Sequence, residues 1–453
     1  MKYKSIEISP LFNSSKPYLC EMSEKLRQHL GLPKNLSSLK ISCGMHTVTC
    51  PIVIINKERL CLSISDQTLH ELNLPIHTFF LKGKLVDPHQ LQLGPVVGLL
   101  TEIKNTNLGV RFGTIHEFCK ELALYCEANG IFFYIFSLST YSKKHLMGFI
   151  HHQNEWIETE VPYPDVVHNR IHSRKLERSK TFLQVTAELV ERNVPYFNDR
   201  FLNKWEVHQI LAANEHLIPY LPKSRLLETK ADLMNMLADT KDLIIKPING
   251  SQGKRIFRII EKENGAYLLD YTTFSGEIKK EYDTFQQLFS TLYPKLKREG
   301  FLLQETIQLQ NYQNRTLDFR FLCHKKDFQK WKVSSAVARV SADNQFVANL
   351  ARGGELFQLK EVINELYGES DSHHLRKLLA ELSLEIVNVI CLHAGGEFGE
   401  FGIDLALDQD GHPWIIEVNT KPSKSEDSQN TTKIRPSTRA ILNYCLFLSQ
   451  FEE

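Results

Sequence analysis

Residues 400–422 read EFGIDLALDQDGHPWIIEVNTKP, from Glu400 to Pro422. Two short apolar runs flank an Asp-Gly pair, which is the pattern of a hairpin. Asp404, Glu417 and Asn419 interrupt those runs. Taking Asp410-Gly411 as a tight turn fixes the register and sets Asp404 directly opposite Glu417, with Cβ atoms ~5 Å apart. Asn419, two residues beyond Glu417, points to the same face. Like charges directly opposite one another destabilise a sheet unless something neutralises them. A hard divalent cation does so. Two carboxylates and an amide oxygen are ligands that Mg²⁺ accepts, its remaining positions going to water and substrate phosphates. The plainer alternatives are a basic partner for either acid, or an exposed face. A calcium loop starting at Asp408 is excluded, because its twelfth position is Asn419 rather than Glu and Pro413 falls inside it.

Upstream, LIIKPINGSQGKRIF (Leu243 to Phe257) is an apolar strand ending in Lys246 and a loop with two glycines, Gly250 and Gly253. Backbone N–H groups of such a loop can hold phosphate oxygens, and Lys246 adds a point charge beside them. The loop is neither a Walker A motif nor a dinucleotide fingerprint, and an ordinary hairpin explains it equally well. Three arginines form a further series: Arg320 in DFRFL, Arg339 in AVARV and Arg352 in NLARGGE. An arginine in a β-run usually ends in solvent or an ion pair. Three on successive segments, with Asn349 and Gly353-Gly354 nearby, suggest an anion-binding wall.

Outward from these motifs, three textures divide the chain. Residues 1–93 hold short β-type runs with turn residues between them and read as a β-rich module. Residues 94–179 alternate strand, helix, strand, with a helix over TIHEFCKELALYCEANG and a hairpin over KHLMGFIHHQNEWIE, and read as a small α/β domain. Residues 180–453 read as one larger α+β unit. Its elements include a helix over FLNKWEVHQILAANEH and a buried strand FLLQETI. TLDFRFLCHKK and KVSSAVARVS read as paired strands, and LRKLLAELSLEIVNVICLHAGG as a long amphipathic helix. No internal repeat is evident.

Composition narrows the classes. The chain is 42% hydrophobic and 24% charged, with a formal net charge of +1, so no bulk electrostatic argument favours nucleic acid or an anionic membrane. The longest apolar runs are too short to span a bilayer. MKYKSIEISP has no apolar stretch of signal-peptide type, and the expectation is an intracellular, cytoplasmic protein. The nine cysteines include no CxxC pair, which points to reduced thiols. CGMHTVTC (Cys43, His46, Cys50) reads as a hairpin around Gly44 rather than a zinc half-site, since no second ligand pair follows.

Taken together and in this order, the motifs from FNDRFLNKWEVHQILA to EVNTKP resemble the ATP-grasp superfamily. The whole layout resembles the YheC/YheD-type ATP-grasp proteins, described as endospore coat-associated, and DFRFL…SSAVARVSADNQFVANLARGGE resembles the ribosomal-protein glutamate ligases of the superfamily. The resemblance implies two α+β subdomains clamping ATP, preceded by a small α/β pre-ATP-grasp domain and the N-terminal β-rich module. It implies that Lys204 and Lys246 contact ATP, with Lys246 at the α- and β-phosphates. Gly250, Ser251, Gly253 and Lys254 of NGSQGK would cover the phosphates, and Gln304, Glu305 and Ile307 would edge the adenine. Asp404, Glu417 and Asn419 would be ligands for Mg²⁺, with Mn²⁺ as the alternative ion. Arg320, Arg339 and Arg352, with Asn349, would lie near the γ-phosphate and an acyl phosphate.

The reaction implied is ATP-dependent joining of a carboxylate to an amine. Nothing here resembles a Ser-His-Asp or Cys-His nucleophile set, and phosphoryl transfer asks mainly for positioning and charge neutralisation. The expected substrates are an unidentified acid and amine, peptide-like or part of a spore envelope, and the expected partners include spore-coat proteins. The competing reading is a coat scaffold that binds ATP without turnover; a third is a ligase acting on a protein terminus. Residues 1–93 have no counterpart in standard members, and the polar stretch NTKPSKSEDSQN is longer than the matching loop of some ligases.

Overall fold

A computed structural model describes residues 5–12, 17–107, 109–142, 145–250, 254–273, 276–297, 299–342, 353–424 and 434–452. Seven strands between Ser5 and Gly94 close into a barrel, in the order Ser5–Leu11, Cys61–Ser65, Cys20–Ser23, His46–Ile55, Ser38–Cys43, Gln90–Gly94, Phe79–Asp87. Cys43 pairs with His46 across the turn at Gly44, and Cys50 is buried with Sγ 3.6 Å from Thr68 Oγ1. Among the described residues no group of three or more His, Cys, Asp or Glu side chains is arranged to hold a metal ion.

The sequence shows no evident repeat, yet the barrel contains one. Residues 20–43 correspond to 62–85 without a gap, a shift of 42 residues (65 − 23). The helix Glu24–His29 matches the helix Asp66–Glu71. The two helix ends are closed by the same hydrogen bonds. Leu32 N donates to Arg27 O and Gly31 N to Gln28 O, as Leu74 N does to Leu69 O and Asn73 N to His70 O. Gly31 (φ 70°) and Asn73 (φ 53°) take the left-handed position that this cap requires. Glu21 pairs with its own counterpart, Ser63, where the two halves cross. Only Ser23, Leu30, Leu32, Pro33, Leu39 and Lys40 are identical to their counterparts. Burial and capping preserve the rest of the repeat without preserving residue identity.

The barrel packs onto a six-stranded sheet. Val96–Leu100, Phe132–Phe136, Val166–Asn169 and Tyr196–Phe197 run parallel, and the hairpin Met147–His152/Glu155–Glu160 extends one edge. Barrel side chains such as Ile6, Leu39 and Leu91 share one continuous apolar core with Tyr134, Phe136, Phe182, Val185 and Leu189. The sheet continues past the expected boundary at 179/180. The helix Lys180–Glu191 buries its apolar face in this core, and Tyr196–Phe197 pairs with Val167 and His168. This is a strand–helix–parallel strand crossover, which cannot be divided between two units. The helix Pro436–Leu448 also returns to this layer, where Ile441, Tyr444 and Cys445 pack with Phe118 and Leu122.

Besides the short ribbon Lys104–Thr106/Gly109–Arg111, two larger antiparallel sheets follow, each with its own core. The first has the order Ser224–Leu227, Phe301–Glu305, Asp242–Pro247, Phe257–Glu261, Tyr267–Thr273, Gly276–Tyr282, backed by helices Lys230–Thr240 and Phe285–Leu296. The second has the order Glu355–Gln358, Trp331–Val340, Arg315–Lys325, Glu400–Leu407, Pro413–Asn419. The helix Leu359–His393 backs it through Leu379, Leu382, Ile386 and Ile390, and its backbone breaks at Gly368 (φ 77°). The amphipathic helix expected from Leu375 lies beyond that break. No described helix is long and apolar enough to cross a membrane.

One carboxylate joins these layers. Glu400, at the start of the Glu400–Leu407 strand, is fully buried. Its Oε1 accepts from Arg170 Nη1 at 2.7 Å, Asn198 Nδ2 at 2.9 Å and His168 Nε2 at 3.2 Å. Its Oε2 pairs with Lys424 Nζ, and His324 Nε2 lies 3.6 Å away. Burial alone would raise its pKa, but Lys424 and Arg170 hold it well below the usual carboxylate value. Glu400→Ala would remove the buried carboxylate that Arg170 and Lys424 share, and we expect a loss of about 3–5 kcal/mol in chemical denaturation.

Candidate active site

The hairpin register is as expected at the residues that matter: Asp404 pairs with Glu417, and Gly402 with Asn419. The route to it differs. The turn spans Asp408–His412 rather than two residues, closed by Asp408 N to His412 O (3.0 Å) and Gly411 N to Asp408 O (3.1 Å). Leu405 therefore faces Ile415, and an irregularity between Asp404 and Leu405 restores the Asp404–Glu417 pairing. Asp408 drives this turn, its carboxylate accepting from Asp410 N, His412 N and Trp414 Nε1.

Both acids already have cationic partners. Asp404 is buried and faces Arg320 across the strand pair Arg315–Lys325/Glu400–Leu407. Arg320 grips it in a two-pronged pair, through Nε to Oδ1 and Nη2 to Oδ2, the latter at 2.9 Å. Arg339 Nη2 lies 3.0 Å from Oδ2. Burial pushes the Asp404 carboxyl up, but the two guanidinium groups outweigh it and hold the pKa below the ordinary value. Arg339 is itself clasped by Asp318, at 2.6 and 2.7 Å. Burial raises the Asp318 pKa to about 6 despite that arginine. Glu417 Oε1 binds Lys204 Nζ at 2.9 Å, and Asn419 Nδ2 lies 3.5 Å from Asp404 Oδ2. Guanidinium and ammonium groups thus answer in part the argument from facing like charges.

Lys204 opens the helix Lys204–Ala212, capped by Asn203, and its Nζ also donates to Gly250 O at 2.9 Å. It therefore bridges the two antiparallel sheets. Lys246 lies on the strand Asp242–Pro247 with Nζ 2.6 Å from Gln304 Oε1, and Gln304 in turn donates to Ser224 Oγ at 3.1 Å. Burial lowers the Lys246 pKa to about 8, with Glu417 and Asp404 opposing that shift and Lys204 adding to it. Glu305, next in the strand, accepts from Lys223 N at 2.6 Å, and Ile307 is half-buried just beyond the strand end. Lys254 stands on an exposed turn. Asn349, Arg352, Ser251 and Gly253 lie outside the described residues.

The structure adds two residues that the motifs do not single out. Asp318 orients Arg339, and its signal is the Asp-x-Arg alternation that puts Asp318 and Arg320 on one face. Ser224 completes the chain to Lys246 through Gln304, but it sits at the start of a strand with no motif of its own. Two carboxylates and an amide side chain on adjacent strands are oxygen donors of the kind a hard dication takes, so the residues present suit Mg²⁺ by chemistry.

Two antiparallel sheets, each backed by helices and meeting across lysines, arginines and paired acids, have the architecture of an ATP-grasp protein. The chain belongs to the YheC/D like ATP-grasp family, whose model matches residues 193–448. It is 27% identical over 419 residues to the endospore coat-associated protein YheD of Bacillus subtilis, covering 90% of this chain and 91% of that one. It is 23% identical over 304 residues to the endospore coat-associated protein YheC of the same organism, covering 64% of this chain and 78% of that one. Among solved structures, the VanG D-Ala:D-Ser ligase of Enterococcus faecalis aligns over 79% of this chain and 99% of that one, at 14% identity and a TM-score of 0.46.

Replacing Gln304 by Leu would remove the described partner of the Lys246 ammonium. We expect a loss of about 1–3 kcal/mol, read from the denaturation midpoint.

Proposed function

We propose that the protein is an ATP- and Mg²⁺-dependent ligase that joins a carboxylate to an amine through an acyl phosphate. The observation that carries this reading is the convergence of Lys204, Lys246, Arg320 and Arg339 on the facing pair Asp404–Glu417. Asp404, Glu417 and Asn419 would hold the metal ion. When bound, that ion supplies charge neutralisation between the triphosphate and the acids. Lys246, which has no carboxylate partner among the described residues, binds the inner phosphates, while Gln304 keeps its ammonium aimed out of the strand. Arg320 and Arg339, fixed by Asp404 and Asp318, present guanidinium N–H groups where charge develops on the transferred phosphoryl group. A substrate carboxylate oxygen attacks the γ-phosphorus and ADP leaves. An amine then attacks the acyl carbon, phosphate leaves, and the amine loses a proton. The names of the relatives suggest that the product belongs to the spore coat, and peptide-like acids and amines are the substrate class proposed.

ADP release is the direct test, measured with a panel of amino acids and peptides as acid and amine. Mg²⁺-dependent ADP formation that requires both partners supports the ligase. Tight Mg·ATP binding without turnover across the panel supports the coat scaffold instead.

Glu417→Gln should keep the fold, since Glu417 is partly exposed. It should lose the part of the ATP-induced rise in Tm that disappears with EDTA in the wild type. An equal Mg²⁺-dependent rise in both proteins would refute the metal assignment.

Lys246 also sets a pH dependence. An anionic nucleotide prefers the charged lysine, so binding raises its pKa above the free value of about 8. Affinity for Mg·ADP should be level below that pH and should fall as pH rises from about 8 to 10. Lys246→Arg, whose guanidinium stays charged, should remove the fall.

A further inference from the structure

The buried and half-buried cations around Asp404 and Glu417 are mostly paired. Lys204 has Glu417, Arg320 and Arg339 have Asp404, and Lys421 has Glu177. Among the described residues of this group, two have no carboxylate within ion-pair distance. One is Lys246, already assigned to the nucleotide. The other is Arg174.

Arg174 comes from the parallel sheet, not from the two antiparallel sheets. It follows the strand Val166–Asn169 and begins the short helix Arg174–Glu177. Its guanidinium carbon lies 4.5 Å from the centre of the Phe201 ring, and Nη1 makes one hydrogen bond, to Leu202 O at 3.2 Å. A guanidinium has five N–H donors, so most of its donor capacity is uncommitted. Lys421 Nζ lies 4.9 Å from the same ring. Glu177 holds Lys421 and also accepts from Phe201 N at 3.0 Å, which fixes the ring on which Arg174 rests. Glu102, at the neighbouring strand end, is occupied by the backbone N–H groups of His172 and Ser173, at 3.0 and 2.8 Å. Lys175 and Arg178 are exposed beside it. Leu202, whose carbonyl accepts from Arg174, lies two residues before Lys204, the partner of Glu417.

Its place in the fold is a second, independent pointer. Val96–Leu100 lies centrally in its sheet, with Phe132–Phe136 on one side and Val166–Asn169 on the other. The strand order therefore changes direction at Val96–Leu100. In open parallel sheets ligands bind beyond the carboxyl ends of the strands at such a point. Those carboxyl ends, Thr101–Glu102 and Arg170–Arg174, face the sheet that carries Asp404, because Arg170 reaches Glu400.

We propose that Arg174 is the anion-recognition residue for the ligase substrate. It receives a carboxylate or phosphate group that the substrate carries in addition to the carboxylate being activated. The proposal rests on the ligase reading above. It adds that the substrate is at least doubly anionic and that the parallel-sheet domain contributes to its recognition.

The test is calorimetric, with probes matched except for the extra anion: L-alanyl-L-alanine, L-alanyl-L-glutamate and L-alanyl-O-phospho-L-serine. Each is titrated into wild type, Arg174→Gln and Arg174→Lys, with and without saturating Mg·ADP. Binding of Mg·ADP is measured first on every protein, so failure of the nucleotide reading is seen separately. We expect the wild type to prefer an anionic dipeptide over the neutral one. Arg174→Gln should lose about tenfold or more of that preference with Mg·ADP binding unchanged. Arg174→Lys should fall between, since it keeps the charge but not the planar fork. The glutamyl and phosphoseryl arms distinguish a carboxylate from a phosphate. A wild type that does not discriminate, or an Arg174→Gln variant that keeps the preference or weakens all probes alike, overturns the proposal.

Discussion

The Glu400 ion cluster is the constraint on which the rest of the arrangement depends. A carboxylate fully removed from water is tolerable only when its charge is met by strong donors. Here the donors come from three other stretches of chain, His168 and Arg170, Asn198, and Lys424, with His324 Nε2 3.6 Å away. Asp404 lies four residues along the strand that carries Glu400, on the same face. Whatever fixes Glu400 therefore fixes the position of the facing acids relative to the parallel sheet.

That arrangement extends into the loop after the hairpin. Arg170 Nη2 donates to Pro422 O at 2.9 Å, and Lys421 Nζ donates to Ile171 O at 3.1 Å. Gly402 makes this close approach workable, because a Cβ there would lie 2.7 Å from Pro422 Cβ and 3.5 Å from Arg320 Cδ. The loop, Arg320 and the hairpin thus interlock at a position where any larger side chain would push one of them away.

The charged centre is legible in the sequence because strand alternation and facing register are local rules. A two-residue turn sets Asp404 opposite Glu417; the turn is in fact longer, and the irregularity near Leu405 cancels the difference. The counter-charges are less legible. Arg320 and Arg339 stand out as anion binders, but their pairing with Asp404 and Asp318 depends on which strands are neighbours, and nothing within one strand specifies that. The boundary expected near residue 180 is misplaced for a similar reason. A helix after a polar stretch looks the same whether it opens a new unit or completes a crossover, and only the pairing of Tyr196–Phe197 with Val167 and His168 decides. The repeat is hidden because its halves share burial pattern and cap geometry rather than residues.

The two halves of the barrel are interleaved. Strands of one half lie between strands of the other, and the counterparts Glu21 and Ser63 meet at the crossing. The two halves are thus related by an approximate two-fold axis and exchange strands, but they are not equivalent. Lys40 N donates to His89 O, inside the barrel wall, whereas its counterpart Lys82 N donates to Gly130 O, on the adjoining layer. The same position therefore closes the barrel wall in one half and attaches the barrel to its neighbour in the other.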